Sequence, residues 1–291
     1  MPACHELRLP HTPDETVLLI GGDLCRQALP LLEPTGATRL HVRRSPAQAG
    51  EPFRIQADLN RPETLAALPP RIDRILCAVS PDGHSEAAYV RAFIEGPRTL
   101  IQTLRNNGSL NHLKRLVFVS STAVYGEETD WVDESTPERP ARFNGRVLLQ
   151  AEQALAAALG DRCVVIRPSG LYGPGRTWLL DRLRSGLVQV ADHPVHWANR
   201  LHSADAARAC VHLLYLDQPA PVYIATDDTP LPLTDLYDAL ADLLNVPRPS
   251  RSGAPLDMPS KRLRATRLKN SGFRLLWPNT LEGYKALIKM G

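Results

Sequence analysis

The sequence contains few cysteines, and no two of them have the spacing used in metal or redox sites. Five cysteines are scattered over 291 residues, and no C-x-x-C occurs. Two of them lie in the apolar runs ILCAV and RCVVI, which are typical of buried strands. Because an odd number of widely separated thiols does not form a disulfide framework, we expect reduced, buried cysteines in a cytoplasmic protein.

Long apolar segments and blocks of one charge are also missing. No run approaches the roughly 18 to 20 apolar residues of a membrane span, and the N-terminal MPACHELRLPHTPDE lacks the apolar core of a signal peptide. The formal net charge is only +3, with basic residues interspersed among acidic ones. We therefore expect a soluble protein whose partners include neither nucleic acid nor membrane.

The histidines do not predict a metal centre. His193 and His196 flank Pro194 in HPVH, but no carboxylate or thiol set accompanies them at ligand spacing. The residue before a proline is restricted to extended backbone, so a surface loop explains this segment.

Short apolar runs that alternate with helical patterns are what the sequence does contain. Continuous apolar strands separated by helices indicate a parallel sheet covered on both faces, which is a doubly wound α/β (Rossmann) domain of about seven strands. After Arg167 the pattern becomes mixed and richer in proline, which predicts a smaller C-terminal domain. The predicted strands are VLLI (17–20), RLHV (39–42), FRIQA (53–57), RILCAV (74–79), RLVFVS (115–120), RCVVIR (162–167) and VYIAT (222–226).

The turn after the first strand is a candidate phosphate-binding turn. A dinucleotide-binding fold places G-x-G-x-x-G here, so that the backbone can approach a pyrophosphate at a helix N-terminus. In IGGDLCR (20–26) only one glycine fits in either register. Gly21, Gly22, Asp23 and Leu24 are the candidate binding residues, and a purely structural turn is the alternative.

The ends of the second and third strands carry charged candidates. Arg43 and Arg44 follow the second strand, where an arginine suits the extra phosphate of NADP and an acidic residue would suit NAD. A solvated pair is the alternative, since only five of the 34 basic residues are lysines and arginine is this sequence's usual cation. Asp58 follows the third strand and either contacts an adenine or caps a turn.

Four segments together resemble the extended short-chain dehydrogenase/reductase superfamily, in its NAD-dependent epimerase/dehydratase branch. The resemblance extends from about Val17 to Ile288. It implies a Rossmann sheet, a nicotinamide cofactor and a C-terminal domain that in relatives often holds a nucleotide sugar. The segments are VFVSSTAVYGE (117–127), VVIRPSGLYGPGR (164–176), RLHSADAARA (200–209) and SKRLRATRLKNSGFRLLWPNTLEGYKALI (260–288).

The resemblance also implies a domain division and further site residues. We assign residues 14–167 to an NAD(P)-binding domain to which the strand 222–226 returns, and residues 168–221 and 227–291 to a substrate-binding domain. Ser80, Arg167 and Ser169 join the candidate cofactor-binding residues. Relatives commonly dimerise through two helices, here 85–106 and 144–159, so a homodimer is predicted.

The catalytic pair of this superfamily is missing. Relatives use a Ser or Thr after the fifth strand, with a Tyr and, four residues later, a Lys that favours the phenolate. Ser121, with Thr122 beside it, matches the hydroxyl position, whereas the tyrosine position is occupied by Asn144 and the lysine position by Leu148. None of the seven tyrosines has a lysine four residues on. Asn144 cannot exchange a proton near pH 7, and Leu148 has neither charge nor donor.

Two functions follow as hypotheses. The first is a cofactor-binding protein, with NADP favoured and NAD as the alternative, that is catalytically impaired or regulatory. The second is an active NADP-dependent oxidoreductase or epimerase acting on a carbonyl compound or nucleotide sugar, using Ser121 with Tyr125 or Tyr172. The plainer role of either tyrosine is to shape the pocket. For His202 we expect a hydrogen-bonded ring next to a helix N-cap at Ser203 or Asp205.

Overall fold

A seven-stranded parallel sheet forms the centre of the molecule. The computed structural model describes residues 6–47, 50–51, 53–126, 130–251 and 260–290, so the predictions for Cys4 and Glu127 fall outside the described residues. Named here β1 to β7, the strands span Thr16–Gly21, Thr38–Arg43, Arg54–Gln56, Arg74–Ala78, Arg115–Val119, Cys163–Pro168 and Val222–Ala225. Their order is β7-β6-β5-β4-β1-β2-β3. This confirms the predicted doubly wound Rossmann sheet.

Every neighbouring pair in this sheet is parallel, and the register aligns the apolar runs. Ile20 of β1 lies opposite Val42 of β2 and Cys77 of β4. Parallel pairing also joins the remaining neighbours. The carboxyl ends of all seven strands therefore meet at one edge of the sheet, which is where such folds place their binding residues.

Nine helices, α1 to α9, lie within the described residues. They span Asp23–Leu31, Glu86–Tyr89, Gly96–Asn106, Phe143–Leu159, Trp178–Arg184, Ser203–Tyr215, Leu233–Leu244, Thr266–Asn270 and Thr280–Met290. Between α2 and α3, the segment Val90–Glu95 continues the same helical rod with π-type hydrogen bonding. Pro97 lies two residues after Glu95 and has no N–H to donate to the preceding turn, which is a recognised cause of such irregularity.

Short two-stranded pairings complete the secondary structure. Their strands are Trp131–Val132, Gly170–Tyr172, Gln189–Val190, Trp197–Ala198, Arg200–His202, Leu231–Pro232, Ser250–Arg251 and Arg262–Leu263. In the part of the chain that the structure describes, no helix combines the length and apolar character needed to cross a bilayer.

Alternate residues of each central strand pack into cores on opposite faces of the sheet. On β1, Leu18 and Ile20 join a core with Val147 and Leu155 of α4. On the opposite face, Leu19 packs in a core that includes residues of α1 and α6. Because both faces are buried, the strands are apolar throughout instead of alternating with polar residues.

A third, separate core lies after the sixth strand. It joins α5, α7 and α9 through residues such as Leu180, Leu236 and Tyr284. Helix α6, within the segment 168–221 that the sequence assigns to the smaller domain, instead covers the sheet with Ala206 and other small residues. Small side chains allow this close packing. The rest of the proposed domain division stays a prediction.

The four described cysteines are buried and unbridged. Burial raises the pKa of Cys77, Cys163 and Cys210 to about 12, and it raises the pKa of Cys25 well above its usual value. Because the thiolate is the reactive form, these thiols act as packing groups.

Candidate functional site

A cleft in two compartments runs along the carboxyl ends of the central strands. The first has a volume of about 620 Å³ and lies at the ends of β1, β2 and β3. The second, of about 390 Å³, lies at the ends of β4, β5 and β6. Gly22, Val79 and Ser80 line both compartments. The cleft thus follows the point between β1 and β4 where the strand order reverses, the usual ligand site of an open α/β sheet.

Most of the sequence-predicted site residues line this cleft. They are Gly21, Gly22, Asp23, Leu24, Arg43, Arg44, Asp58, Ser80, Ser121, Asn144 and Ser169. Thr122, Tyr125 and Arg167 are buried and are absent from its lining. These three predicted site residues therefore lie outside the cleft lining.

The two glycines of the first turn have different reasons for being glycine. Gly21 has a φ of +136°, and a Cβ there would lie 2.1 Å from the carbonyl oxygen of Ala78. Its own carbonyl accepts a hydrogen bond from His41 Nε2 at 2.8 Å. At Gly22 a Cβ would meet no atom within 4 Å, because this residue borders the open cleft. Gly21 therefore allows the sheet to pack, and Gly22 leaves room for a ligand.

Asp23 places a carboxylate at the first residue of α1, where a phosphate would also be attracted. Arg176, from the loop after β6, donates from Nε to Asp23 Oδ2 at 3.1 Å. Gln27 donates to the same oxygen at 3.2 Å. Both Asp23 and Arg176 line the second compartment. The carboxylate is thus turned towards a cation, and Arg176 is a site residue that the sequence analysis missed.

The first compartment is the more basic one. Arg43, Arg44 and Arg91 line it together with Asp58 and Asp82. Arg44 forms a two-bonded ion pair with Asp82. The hydrogen bond from Arg44 holds the pKa of the Asp82 carboxyl below its usual range.

Asp58 has the turn role predicted for it and also lines the cleft. Its Oδ1 accepts from the backbone N–H of Asn60 at 2.9 Å, which is the bond of a turn residue. The same residue lines the first compartment. The turn role is visible in the structure, and a contact with adenine stays a prediction.

The residues that replace the missing catalytic Tyr and Lys lie in the same compartment as the hydroxyl residue, as the resemblance predicts. Ser121, Asn144 and Leu148 all line the second compartment. Gly145 makes this possible, because a Cβ there would lie 2.2 Å from the carbonyl oxygen of Ala123. The start of α4 therefore rests directly against the loop that carries Ser121.

No phenol is hydrogen-bonded to Ser121 within the described ranges. The Ser121 hydroxyl instead accepts from the backbone N–H of Ala123 at 3.2 Å and caps a short helical turn. Thr122, the first residue of that turn, is directed into the protein and is only 9% exposed. Of the two neighbouring hydroxyl residues, Ser121 borders the cleft and Thr122 does not. This corrects the candidate catalytic role of Thr122.

Tyr125 and Arg167 belong to a buried polar network behind the cleft. Arg167 Nη1 donates to the Tyr125 hydroxyl at 2.7 Å, and Arg167 Nη2 donates to Glu138 at 2.8 Å. Arg167 also pairs with Glu152, which accepts a hydrogen bond from Ser120. These bonds satisfy the guanidinium behind the cleft, and the cofactor-binding role of Arg167 stays a prediction.

The buried position of Tyr125 also argues against proton transfer by its hydroxyl. The side chain has no exposure to solvent. Burial raises the pKa of Tyr125 to about 12, although the neighbouring Arg167 acts in the opposite direction. Because Tyr125 is absent from the cleft lining and its hydroxyl is held by Arg167, the hydroxyl is not placed to meet a ligand there.

Tyr172 is also absent from the cleft lining. It is 1% exposed, and its ring stacks on Tyr284 with centroids 4.2 Å apart. Its hydroxyl oxygen lies 1.9 Å from where a Cβ of Gly283 would be. Burial raises the pKa of Tyr172 well above its usual value. Both tyrosines proposed as substitute catalytic groups therefore serve packing.

His202 is itself the N-cap of α6, which corrects the predicted cap at Ser203 or Asp205. Its Nδ1 accepts from the backbone N–H of Ala204 at 3.2 Å. Asp205 is fully buried and accepts from the backbone N–H groups of Leu276 and Trp277, each at 2.8 Å. Asp205 thus fastens the C-terminal segment to α6. Among the described residues, no group of three or more metal-ligating side chains is arranged to hold an ion.

A phenol that the sequence analysis did not consider does border the second compartment. Tyr89, the last residue of α2, lines it together with Phe93. The Tyr89 ring meets His84 edge-on at 5.9 Å and Phe143 edge-on at 5.4 Å. The four-residue spacing of Tyr89 and Phe93 indicated only a helix face, so no sequence signal distinguished this tyrosine.

Ser169 offers an unused polar group inside the same compartment. It is 6% exposed, and its hydroxyl has no hydrogen-bond partner in the structure. Buried hydroxyls nearly always have a partner. The orphaned oxygen at the lining of a cleft indicates a place for a polar ligand atom.

Sheet order, glycine turn and cleft together define a Rossmann protein of the extended short-chain dehydrogenase/reductase class. The chain belongs to the NAD-dependent epimerase/dehydratase family, whose model matches residues 19–224. Over 182 residues it is 29% identical to the protein YeeZ of Escherichia coli strain K12, an alignment covering 62% of this chain and 65% of YeeZ. The chain thus spans less than two thirds of the length of this curated relative.

Two solved structures share the fold over nearly the full chain. One, from Methylobacillus flagellatus, has a name that suggests an NAD-dependent epimerase/dehydratase. It is 31% identical, with a TM-score of 0.77 and coverage of 95% of this chain and 98% of its own. The other is MoeE5 in complex with UDP-glucose and NAD. It is 20% identical, with a TM-score of 0.75 and coverage of 94% and 97%. The likeness to MoeE5 shows the fold alone.

Proposed function

We propose that this protein binds a nicotinamide dinucleotide, with NADP(H) preferred, and lacks the Tyr–Lys proton transfer of its family, so that it acts as a cofactor-responsive binding or regulatory module. One observation carries the proposal. Asn144 and Leu148 border the compartment beside Ser121, at the positions of the missing phenol and ammonium. A carboxamide and an alkyl chain cannot exchange protons near pH 7.

The lining of the cleft fits such a cofactor. Gly22 leaves open space at the N-terminus of α1, where backbone N–H groups favour a pyrophosphate. The hydroxyl of Ser169 lacks a partner and supports a polar ligand in the second compartment. Arg43 and Arg44 line the first compartment, where an arginine suits a ribose phosphate. A bound nicotinamide would supply hydride chemistry, and membership of the NAD-dependent family supports its presence here.

The residues of this chain then have distinct tasks. Ser121 and Asn144 would hold a ligand oxygen by hydrogen bonds without moving a proton between them. Leu148 excludes water from that position, being only 3% exposed. General acid–base catalysis contributes about 10²- to 10⁴-fold, so the site as built would lack that share of the family's rate.

Calorimetric titration with NADPH and with NADH tests this proposal. We expect stoichiometric binding of both, with NADPH bound more tightly, and no change in nicotinamide absorbance when UDP-glucose or a simple aldehyde is added. Turnover at an ordinary enzymatic rate would contradict the noncatalytic role. A preference for NADH would contradict the role given to Arg43 and Arg44, and the absence of binding to either would contradict cofactor use.

A second candidate function is supported by the position of Tyr89. This phenol lines the same compartment as Ser121, and the exposed His84 ring lies edge-on to it. Tyr89, at the end of α2, would provide a proton donor and His84, just before that helix, a neighbouring base, in an active oxidoreductase or epimerase. Under this alternative, Tyr89→Phe would abolish turnover and leave dinucleotide affinity unchanged, whereas Tyr125→Phe would leave turnover intact. A protein without measurable turnover of any carbonyl substrate excludes this candidate.

The proposed homodimer is independent of the cofactor site and is tested separately. Its predicted surfaces are the helices 85–106 and 144–159, and light scattering during gel filtration measures the mass directly. We expect twice the mass of one chain.

A further inference from the structure

We propose that Asp82 sets the cofactor preference of the cleft, because its carboxylate competes with the 2′-phosphate of NADP for the guanidinium of Arg44. This inference rests on the proposed function, since it requires the first compartment to hold the adenosine half of a dinucleotide. Asp82 would be a specificity-determining residue that restrains the preference for NADP.

The position of the ion pair is the first observation. Arg44 follows β2 and Asp82 follows β4, and β1 lies between these two strands in the sheet. The Arg44–Asp82 pair therefore bridges the carboxyl end of β1, next to the glycine turn that borders the same compartment. A ligand that reaches Arg44 from within this compartment must replace Asp82 as its partner.

The geometry of the contact is the second observation. Both terminal nitrogens of Arg44 donate to the two carboxylate oxygens of Asp82, which is the fork arrangement that a guanidinium also uses for phosphate. Carboxylate and phosphate thus compete for the same donors. After displacement, Asp82 would remain near the phosphate as an unpaired negative charge.

The charges around Arg44 explain why the single carboxylate of Asp82 affects phosphate binding. Arg43 and Arg91 line the compartment beside Arg44, and within the described ranges neither has a carboxylate within ion-pair distance. Asp58 is the other acid at this lining, and it is engaged by its own turn. Replacing Asp82 with a neutral residue would leave three cations facing the ligand and free the fork of Arg44.

The side chains are exposed enough for a clean test. Arg44 is 54% exposed and Asp82 62%, so substituting either should not disturb folding. Exposed pairs of this kind are weak, which limits the expected effect to about threefold to fivefold in affinity.

The experiment is calorimetric titration of the full chain and of Asp82→Asn with NADPH and NADH, and with 2′-AMP and 5′-AMP as probes of the phosphate position. We expect Asp82→Asn to bind NADPH and 2′-AMP about threefold to fivefold more tightly, with NADH and 5′-AMP affinities changed less than about twofold. In the Arg44→Gln background, the same substitution should lose most of its effect.

Asp242→Asn is the matched control. Asp242 forms a similar two-bonded exposed ion pair with Arg248 and does not line the cleft. This variant carries the same change in net charge and should leave every affinity unchanged. An unaltered NADPH-to-NADH ratio in Asp82→Asn, or an equal gain in the control, overturns the inference while cofactor binding stands. Failure of the wild-type chain to bind either dinucleotide overturns the proposed function instead.

Discussion

Arg176 Nε lies 3.1 Å from Asp23 Oδ2 and joins the loop after β6 to the first residue of α1. This contact links residues 153 positions apart in the chain. It compensates a carboxylate at a helix N-terminus that would otherwise repel a phosphate. The two substitutions of this pair should therefore act in opposite directions.

We expect Asp23→Asn to bind NADPH more tightly and Arg176→Gln to bind it more weakly, each by roughly fivefold, because both side chains are partly exposed. Calorimetric titration of the two variants measures this. Asp242→Asn matches the change in net charge of Asp23→Asn, and Arg248→Gln, at the partner of Asp242, matches that of Arg176→Gln. Changes of the same sign in both variants would show that the pair matters only for folding.

Substituting the two turn glycines should separate folding from binding. Gly21→Ala is expected to lower the free energy of unfolding by about 2 kcal/mol or more, since its methyl meets the Ala78 carbonyl at a positive φ. Gly22→Ala should lose less stability than Gly21→Ala, because its methyl meets no atom within 4 Å, and should lose about tenfold or more in dinucleotide affinity. Urea unfolding and calorimetry distinguish the two. An unchanged affinity in Gly22→Ala would mean that no ligand approaches this turn.

Gly145 should behave unlike an ordinary helix glycine. Alanine normally stabilises a helix relative to glycine by about 1 kcal/mol. Here Gly145→Ala is expected to destabilise by about 1 to 3 kcal/mol, because its methyl would lie 2.2 Å from the Ala123 carbonyl. Thermal and urea unfolding measure the change, and Ala154→Gly on the exposed side of α4 gives the ordinary propensity difference. A stabilised Gly145→Ala would show that α4 can move away from Ser121.

Tyr125→Phe tests whether this tyrosine is structural. Removing its hydroxyl leaves Arg167 Nη1 without the acceptor it has at 2.7 Å. A buried donor without a partner costs about 1 to 3 kcal/mol, so the free energy of unfolding should fall by that amount. NADPH affinity should stay within twofold of the wild type, about the error of a titration. Intact stability combined with altered ligand binding would return Tyr125 to the candidate site.

Asp227 predicts a dependence of stability on pH. Burial raises the pKa of its carboxyl to about 7, although Thr280 donates a hydrogen bond to it. The folded chain therefore holds this proton at pH values where the unfolded chain has lost it. Stability from this group is fully present below about pH 4 and is lost as the pH rises towards 7, by up to about 4 kcal/mol.

Urea unfolding of the wild type and of Asp227→Asn from pH 4 to 8 checks this dependence. The free energy of unfolding of the wild type should fall more steeply than that of the variant over this interval. Parallel curves would show that Asp227 ionises in the folded protein as it does in the unfolded chain.

Much of the fold could be predicted from local pattern. The runs around Leu18, Leu76 and Val117 are apolar at every position because both faces of a parallel sheet are buried, and this rule needs no tertiary information. The positions of Ser121, Asn144 and Leu148 followed from their spacing within recognisable segments. Their meeting in one compartment agrees with that spacing.

The candidate site was less predictable where a motif identified a residue but not the direction in which its side chain points. Tyr125 and Arg167 stand in recognisable segments, yet they satisfy one another behind the cleft. A turn motif does not encode which way a side chain points, because burial and available partners decide it. Tyr89 was missed for the complementary reason, since it occurs in an ordinary helical pattern.

The sequence by itself determined that the chain forms a parallel sheet and which apolar segments are its strands. It also determined that a phenol and an ammonium are absent from the family's catalytic positions. Only the tertiary structure decided that Arg44 meets Asp82, that Asp23 meets Arg176 and that Tyr89 borders the cleft. Strands and helices follow from periodic burial within a short stretch of chain. Ion pairs and clefts depend on how loops from distant strands approach one another, which no local pattern specifies.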